Sequence, residues 1–202
     1  MTLTVSKASM ARMADVLLLH HALGQTPSFH AFADALRAGG HNVVTPDVYD
    51  GRTFDDLDEG LAYAREIGFD TVRERGVRAA DALPEWLVYI GISMGQMAAQ
   101  QLAQTRPGAA GAVFISSAIP LGEFADSWPD GVPLQIHGTD ADPFFVGEGD
   151  IEAARELVEA ADDAELFMYP GDAHMLVEFE PDPDDQNIRL MTERVLEFLG
   201  RV

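Results

Sequence analysis

The chain reads as one α/β domain: a doubly wound, mainly parallel sheet of about six strands, with helices on both faces. Three observations predict it. Apolar runs without polar alternation recur along the chain, as in strands covered on both sides. Helix-like segments separate them, and right-handed crossovers then lay the strands parallel. At 202 residues and 47% hydrophobic content, the chain is long enough for one well-buried core and short for two.

Residues 1–13 carry no extended apolar stretch and are expected to be a flexible lead-in rather than a signal peptide, leaving 14–202 as the domain. Ala14–Leu19 predicts the first strand. Pro27–Ala38 carries helical periodicity through Phe29, Phe32, Ala33 and Leu36, and Gly39-Gly40 ends it. A second strand is expected at His41–Thr45. Phe54–Leu83 reads as mostly helical, broken near Gly68. Further strands are expected at Leu87–Ile92, Ala110–Ser116, Val132–Ile136 and Glu165–Tyr169, with helices at Gln96–Arg106, Glu148–Ala161 and Gln186–Leu199.

Composition narrows the function. A net charge of −21, with Lys7 the only lysine, repels nucleic acid and anionic lipid heads, so neither partner is expected. The acidic clusters Asp55–Glu59, Asp162–Glu165 and Glu178–Asp185 read as solvated faces and loops; Asp182–Asp185 lacks the spacing of an EF-hand calcium loop. Cysteine is absent, which removes disulfides, thiolate metal sites and a thiol nucleophile, and a cytoplasmic location is expected. No apolar run approaches the ~20 residues of a membrane span. The first strand-to-helix turn, His20-His21-Ala22-Leu23-Gly24-Gln25, lacks Gly-x-Gly-x-x-Gly, so a dinucleotide site is not expected.

Gly91-Ile92-Ser93-Met94-Gly95 lies between a predicted strand and a predicted helix. That is the order of a nucleophile elbow, in which a sharp turn lifts the serine hydroxyl above the sheet and leaves backbone N–H groups free for an oxyanion. A serine nucleophile needs a base. Of the six histidines, only His174 follows both nucleophile and acid in the order Ser…Asp…His, in a Pro/Gly turn after the last strand. His30 and His41 are expected at the surface. The acid should come from the loop after the fifth strand, where His137-Gly138-Thr139-Asp140-Ala141-Asp142-Pro143 offers two aspartates, one to cap a turn and one to hold the imidazole.

Taken in order, Leu18-Leu19-His20-His21-Ala22-Leu23-Gly24, Thr45-Pro46-Asp47, Gly91-Ile92-Ser93-Met94-Gly95, His137-Gly138 through Asp142-Pro143-Phe144, and Tyr169-Pro170-Gly171 with His174 resemble the dienelactone hydrolase family of the α/β-hydrolase superfamily. The resemblance runs from Ala14 onward. It implies an α/β-hydrolase fold without cofactor or metal, Asp142 before Pro143-Phe144 as the acid, and the amides of Ala22 and Met94 as the oxyanion hole. Two departures are plain: the family's usual cysteine is Ser93 here, and its glutamate in the first loop is His21. No arginine follows His174 in Met175-Leu176-Val177-Glu178 to grip a substrate carboxylate, so neutral substrates are expected.

The implied activity is a serine hydrolase cleaving small-molecule carboxylic esters or lactones through an acyl-enzyme on Ser93. His21, Phe124, Trp128, Phe144, Phe145 and Met175 are the expected pocket residues. One alternative is a catalytically silent α/β-hydrolase-fold module for binding or regulation, against which the intact Ser, Asp and His set argues. Another gathers His20, His21 and His137 around a metal ion, which adjacent histidines rarely permit.

Overall fold

The computed structural model describes residues 13–202; the expected lead-in lies outside the described residues except for Met13, which is exposed. Strands β1 (Asp15–Leu19), β2 (Asn42–Val44), β3 (Leu87–Ile92), β4 (Ala109–Ile115), β5 (Leu134–Thr139) and β6 (Ala164–Tyr169) form one parallel sheet in the order β2-β1-β3-β4-β5-β6. Helices α1 (Pro27–Ala38), α2 (Leu57–Ile67), α3 (Phe69–Arg78), α4 (Gln96–Thr105), α5 (Asp150–Ala160) and α6 (Gln186–Leu199) connect and follow them. Gly68, at φ 89°, separates α2 from α3.

Alternate residues of each central strand enter opposite cores, which is why those strands read as continuous apolar runs. Val16, Leu18, Val88, Ile90, Val113 and Ile115 pack with Phe29, Leu36, Met191 and Phe198 of α1 and α6. Leu17, Leu19, Leu87, Tyr89, Ala112 and Phe114 pack with Leu102 of α4 and Leu157 of α5. Each fully buried Leu or Phe side chain contributes roughly 1.5–3 kcal/mol. Helix starts follow local chemistry. Thr26 Oγ1 accepts from the Phe29 amide with Pro27 in the first turn, Asp56 caps α2, and Asp185 caps α6.

Chain direction across the sheet reverses at β1, whose neighbours are β2 and β3. The crevice beyond the carboxyl ends of β1 and β3 is therefore the expected ligand position in a doubly wound sheet. His41 departs from its surface expectation: it is buried, its Nδ1 accepts from the Ala14 amide at 3.2 Å, and burial lowers its pKa. The short loop leaves the ring nowhere to go but against the start of β1. Among the described residues, no helix is long and apolar enough to cross a membrane.

Candidate active site

β3 ends at Ile92, and a 3-10 turn, Ser93–Gly95, leads directly into α4. Ser93 is held at φ 49°, a left-handed conformation costing a non-glycine residue about 1–3 kcal/mol. The glycines on either side make the turn possible. A Cβ at Gly91 would collide with the Gln96 backbone, and one at Gly95 with the carbonyls of Leu19 and His20. The elbow thus sits hard against the loop leaving β1.

The Ser93 hydroxyl lies 2.8 Å from His174 Nε2, and His174 Nδ1 lies 2.7 Å from Asp142 Oδ2. An ionised carboxylate only accepts, so Nδ1 carries the imidazole proton and Nε2 is left to accept from the serine. Asp142 is fully buried, and its other oxygen accepts from the Phe144 amide at 2.8 Å. The loop bearing His174 is tied to the loop after β5 at three points. Thr139 Oγ1 donates to Ala173 O, the Ala141 amide donates to Gly171 O, and Asp140 Oδ1 accepts from the Gly171 amide. The two aspartates therefore differ in their partners: Asp142 meets the imidazole, and Asp140 fastens the turn in front of it.

Ala22 and Met94, the expected oxyanion pair, pack in one apolar cluster with Tyr49, where β1 and β3 end side by side. Met94 is the second residue of the Ser93–Gly95 turn, so its amide is one of those a helix N-terminus leaves without an intrahelical acceptor. His21 is not a pocket residue. It is fully buried, its Nδ1 accepts from the Leu23 amide at 3.2 Å, and its Nε2 lies 3.4 Å from Thr26 Oγ1. Burial, with His20 and His174 close by, drives its pKa down to about 3, so the ring stays neutral. Thr26 Oγ1 and Ser28 Oγ both donate to Glu178 O, at 3.3 and 2.5 Å. One polar chain thereby links the loop carrying Ala22 to the segment following His174.

A cavity of about 350 Å³ opens over Ser93 and His174. One wall is apolar: Leu57 and Leu61 of α2, Phe69 of α3, Met97 and Ile119, with Arg65 at the exposed edge. The other is polar and acidic: Ser116, Ser117, Glu148 and Asp150. Of the expected pocket residues, Phe144 lines it, its ring 5.0 Å from that of His174. The others are corrected. The Trp128 indole N–H donates to Val132 O at 2.7 Å and its ring packs edge-on to Phe114, because a buried indole needs a carbonyl. Phe145 is fully buried over Gly138, where a Cβ would strike its ring. Met175 joins the core beneath α1 and α6. Phe124 stands outside the cavity with the Arg73 guanidinium 5.9 Å from its ring.

Sequence reasoning missed two parts of the lining. Leu57, Leu61, Arg65 and Phe69 recur every four residues, the spacing of one helix face, and Ser116-Ser117 lies just past the carboxyl end of a strand. Both signals were present. Arg65 lines the cavity, an arginine the sequence did not flag, whereas Arg52 lies over the Tyr63 ring and Arg73 is bonded to Gln101 and Asp70.

The remaining histidines serve other networks. His20 Nε2 accepts from the Val48 amide, and burial drives His137, next to Tyr169 Oη, down to about 3. Among the described residues, no group of three or more His, Asp or Glu could hold a metal ion. Asp182 Oδ1 accepts from the Asp184 amide, and Asp185 caps α6.

A model of the dienelactone hydrolase family matches residues 2–202. No curated protein matches the chain. Among solved structures, a dienelactone hydrolase-like promiscuous phosphotriesterase from metagenomic libraries is similar at 14% identity and TM-score 0.69, covering 96% of this chain and 89% of that one. A hydrolase of the alpha/beta superfamily from Xanthomonas campestris pv. campestris is similar at 19% identity and TM-score 0.66, over 96% and 100%. The esterase domain of a Rhodothermus marinus protein follows at 15% identity and TM-score 0.59, over 96% and 89%. At these identities the likeness is one of fold.

Proposed function

This chain belongs to the dienelactone hydrolase family, and from that premise we propose that it is a serine hydrolase of carboxylic esters or lactones, working through an acyl-enzyme on Ser93. The observation that carries the proposal is His174, standing 2.8 Å from Ser93 Oγ and 2.7 Å from Asp142. His174 Nε2 takes the serine proton as Oγ attacks the carbonyl carbon. The Ala22 and Met94 amides hold the oxyanion, and His174 returns the proton to the leaving alkoxide. Water then attacks the acyl-enzyme with the same groups in reverse order. Asp142 fixes the tautomer and stabilises the imidazolium without taking its proton.

Neutral substrates fit the cavity charge. Arg65 is a single exposed cation among the described lining residues, and Glu148 and Asp150 line the same cavity, so a substrate carboxylate has no second cation there to grip it. Turnover of aryl esters and lactones, each with a carboxylated counterpart, tests both halves of the proposal. We expect neutral members to show the higher kcat/KM, and Ser93→Ala to lose at least ~10⁴-fold in kcat on all of them while keeping its Tm. Full activity in Ser93→Ala contradicts the mechanism; a preference for the carboxylated members contradicts the substrate class.

A further inference from the structure

Ser116 carries two energetic costs at one position. Its backbone sits at φ 58°, a left-handed conformation that strains a non-glycine residue. Its hydroxyl is buried with no hydrogen-bond partner among the described residues, which leaves its desolvation uncompensated. The residue is 1% exposed and lines the cavity at the carboxyl end of β4, the strand beside the one that delivers Ser93. Strained residues with unpaired polar atoms concentrate where a ligand completes the bonding.

Its neighbours offer the complementary half. Asp150 opens α5 and also lines the cavity. Ser117 Oγ donates to it at 2.8 Å and the Ala118 amide at 3.2 Å, both to Oδ2, which leaves Oδ1 to accept. We propose that Ser116 and Asp150, with Ser117 holding Asp150 in place, form a subsite for a hydroxyl group of the substrate, close to its scissile bond. A hydroxyl can donate to Asp150 Oδ1 and accept from Ser116 Oγ at the same time. A carboxylate has no proton for Asp150 and meets Glu148 as well. An ammonium would surrender its hydration beside an apolar wall, with Arg65 also at the cavity. The substrate class narrows from neutral esters to hydroxylated ones. The inference rests on the hydrolase reading for the reaction, but not for binding.

Two matched pairs test it: glyceryl monobutyrate against propyl butyrate, and ethyl 3-hydroxybutyrate against ethyl butyrate. The readouts are kcat/KM for the wild type and Kd for Ser93→Ala by calorimetry. We expect the hydroxylated member of at least one pair to be favoured about 10-fold, the worth of one well-made hydrogen bond. Ser116→Ala should bring that ratio close to one without lowering Tm, because it deletes an unpaired buried hydroxyl and breaks no existing bond. Asp150→Ala should also collapse the ratio, at some cost in Tm.

Equal use of both members in both pairs overturns the subsite, as does a preference that survives both substitutions. Stronger binding of butyrylcholine than of either hydroxylated ester overturns it in favour of a cation site. If the wild type cleaves nothing while Ser93→Ala binds the hydroxylated member more tightly, the subsite stands and the hydrolase reading falls. If every ester is cleaved without discrimination, the hydrolase reading stands and the subsite falls.

Discussion

His174 can accept the Ser93 proton only as the tautomer that leaves Nε2 bare, and Asp142 favours that tautomer by accepting a hydrogen bond from Nδ1–H at 2.7 Å. Asp142→Asn presents an amide that can donate to Nδ1 and so favour the wrong tautomer, and we expect it to cost about 10⁴-fold in kcat. Asp140→Asn keeps the oxygen that accepts from the Gly171 amide, so its kcat should stay within a few-fold of wild type. Assayed side by side on one aryl ester, the pair is diagnostic: loss of activity in Asp140→Asn alone reverses the assignment. The serine and histidine were legible because their order and turn contexts are local features of the chain. The choice between aspartates two residues apart depends on which carboxylate the loop turns inward, and only family resemblance pointed to it. His21 was not legible at all: a histidine in a loop near a site looks like a ligand until its partners, Leu23 and Thr26, are seen.

Among elements, the elbow carries the most consequence. Gly95 lies against the Leu19 and His20 carbonyls, so any side chain there pushes the first loop away from Ser93. Gly95→Ala should therefore lower stability by the ~1–3 kcal/mol typical of overpacking. Its residual folded fraction should lose more kcat than KM, as Ala22 moves from the oxyanion position proposed for it. A wild-type Tm and kcat in that variant would show the approach to be looser. Helices Pro27–Ala38 and Gln186–Leu199 agree with the sequence at both ends, whereas the fifth strand, expected over Val132–Ile136, runs Leu134–Thr139, so that His137, Gly138 and Thr139 belong to the strand and not to the loop after it. The expected helix over Phe54–Leu83 is shorter in the structure, from Leu57 with its break at Gly68 to Arg78. What it contributes to the cavity, a row at Leu57, Leu61 and Arg65, is a helix face that sequence alone assigned to no neighbour. Trp128 and Phe145 failed as pocket residues because loop aromatics beside the inner strands fill the core as readily as a cavity: one packs on Phe114 of β4, the other over Gly138 of β5.

For the molecule as a whole, buried and clustered titratable groups shape the pH response. Glu178 follows the His174 loop, and burial, reinforced by Asp185 and Asp182, raises its pKa to about 7 from an ordinary 4.5. A carboxyl group with a raised folded pKa binds more protons in the folded state than in the unfolded one between those values. Stability is thus lost as pH climbs from about 4.5 through 7. Glu178→Gln should raise Tm at pH 8 and change it little at pH 4.5; equal effects at both would remove Glu178 as the titrating group. His21 and His137, lowered to about 3, act in the other direction, withdrawing stability as pH falls below the unfolded value of 6.5. Among the described residues, Ser93 stands at the cavity with its hydroxyl 2.8 Å from His174 Nε2. Intact-mass analysis after treatment with a fluorophosphonate, with the adduct located by peptide mapping, measures its reactivity directly. A single adduct on Ser93, absent from Ser93→Ala and formed far more slowly by His174→Ala, is the expected result. An adduct that persists in Ser93→Ala, or a wild type that hydrolyses esters yet resists the probe, would contradict Ser93 as the nucleophile.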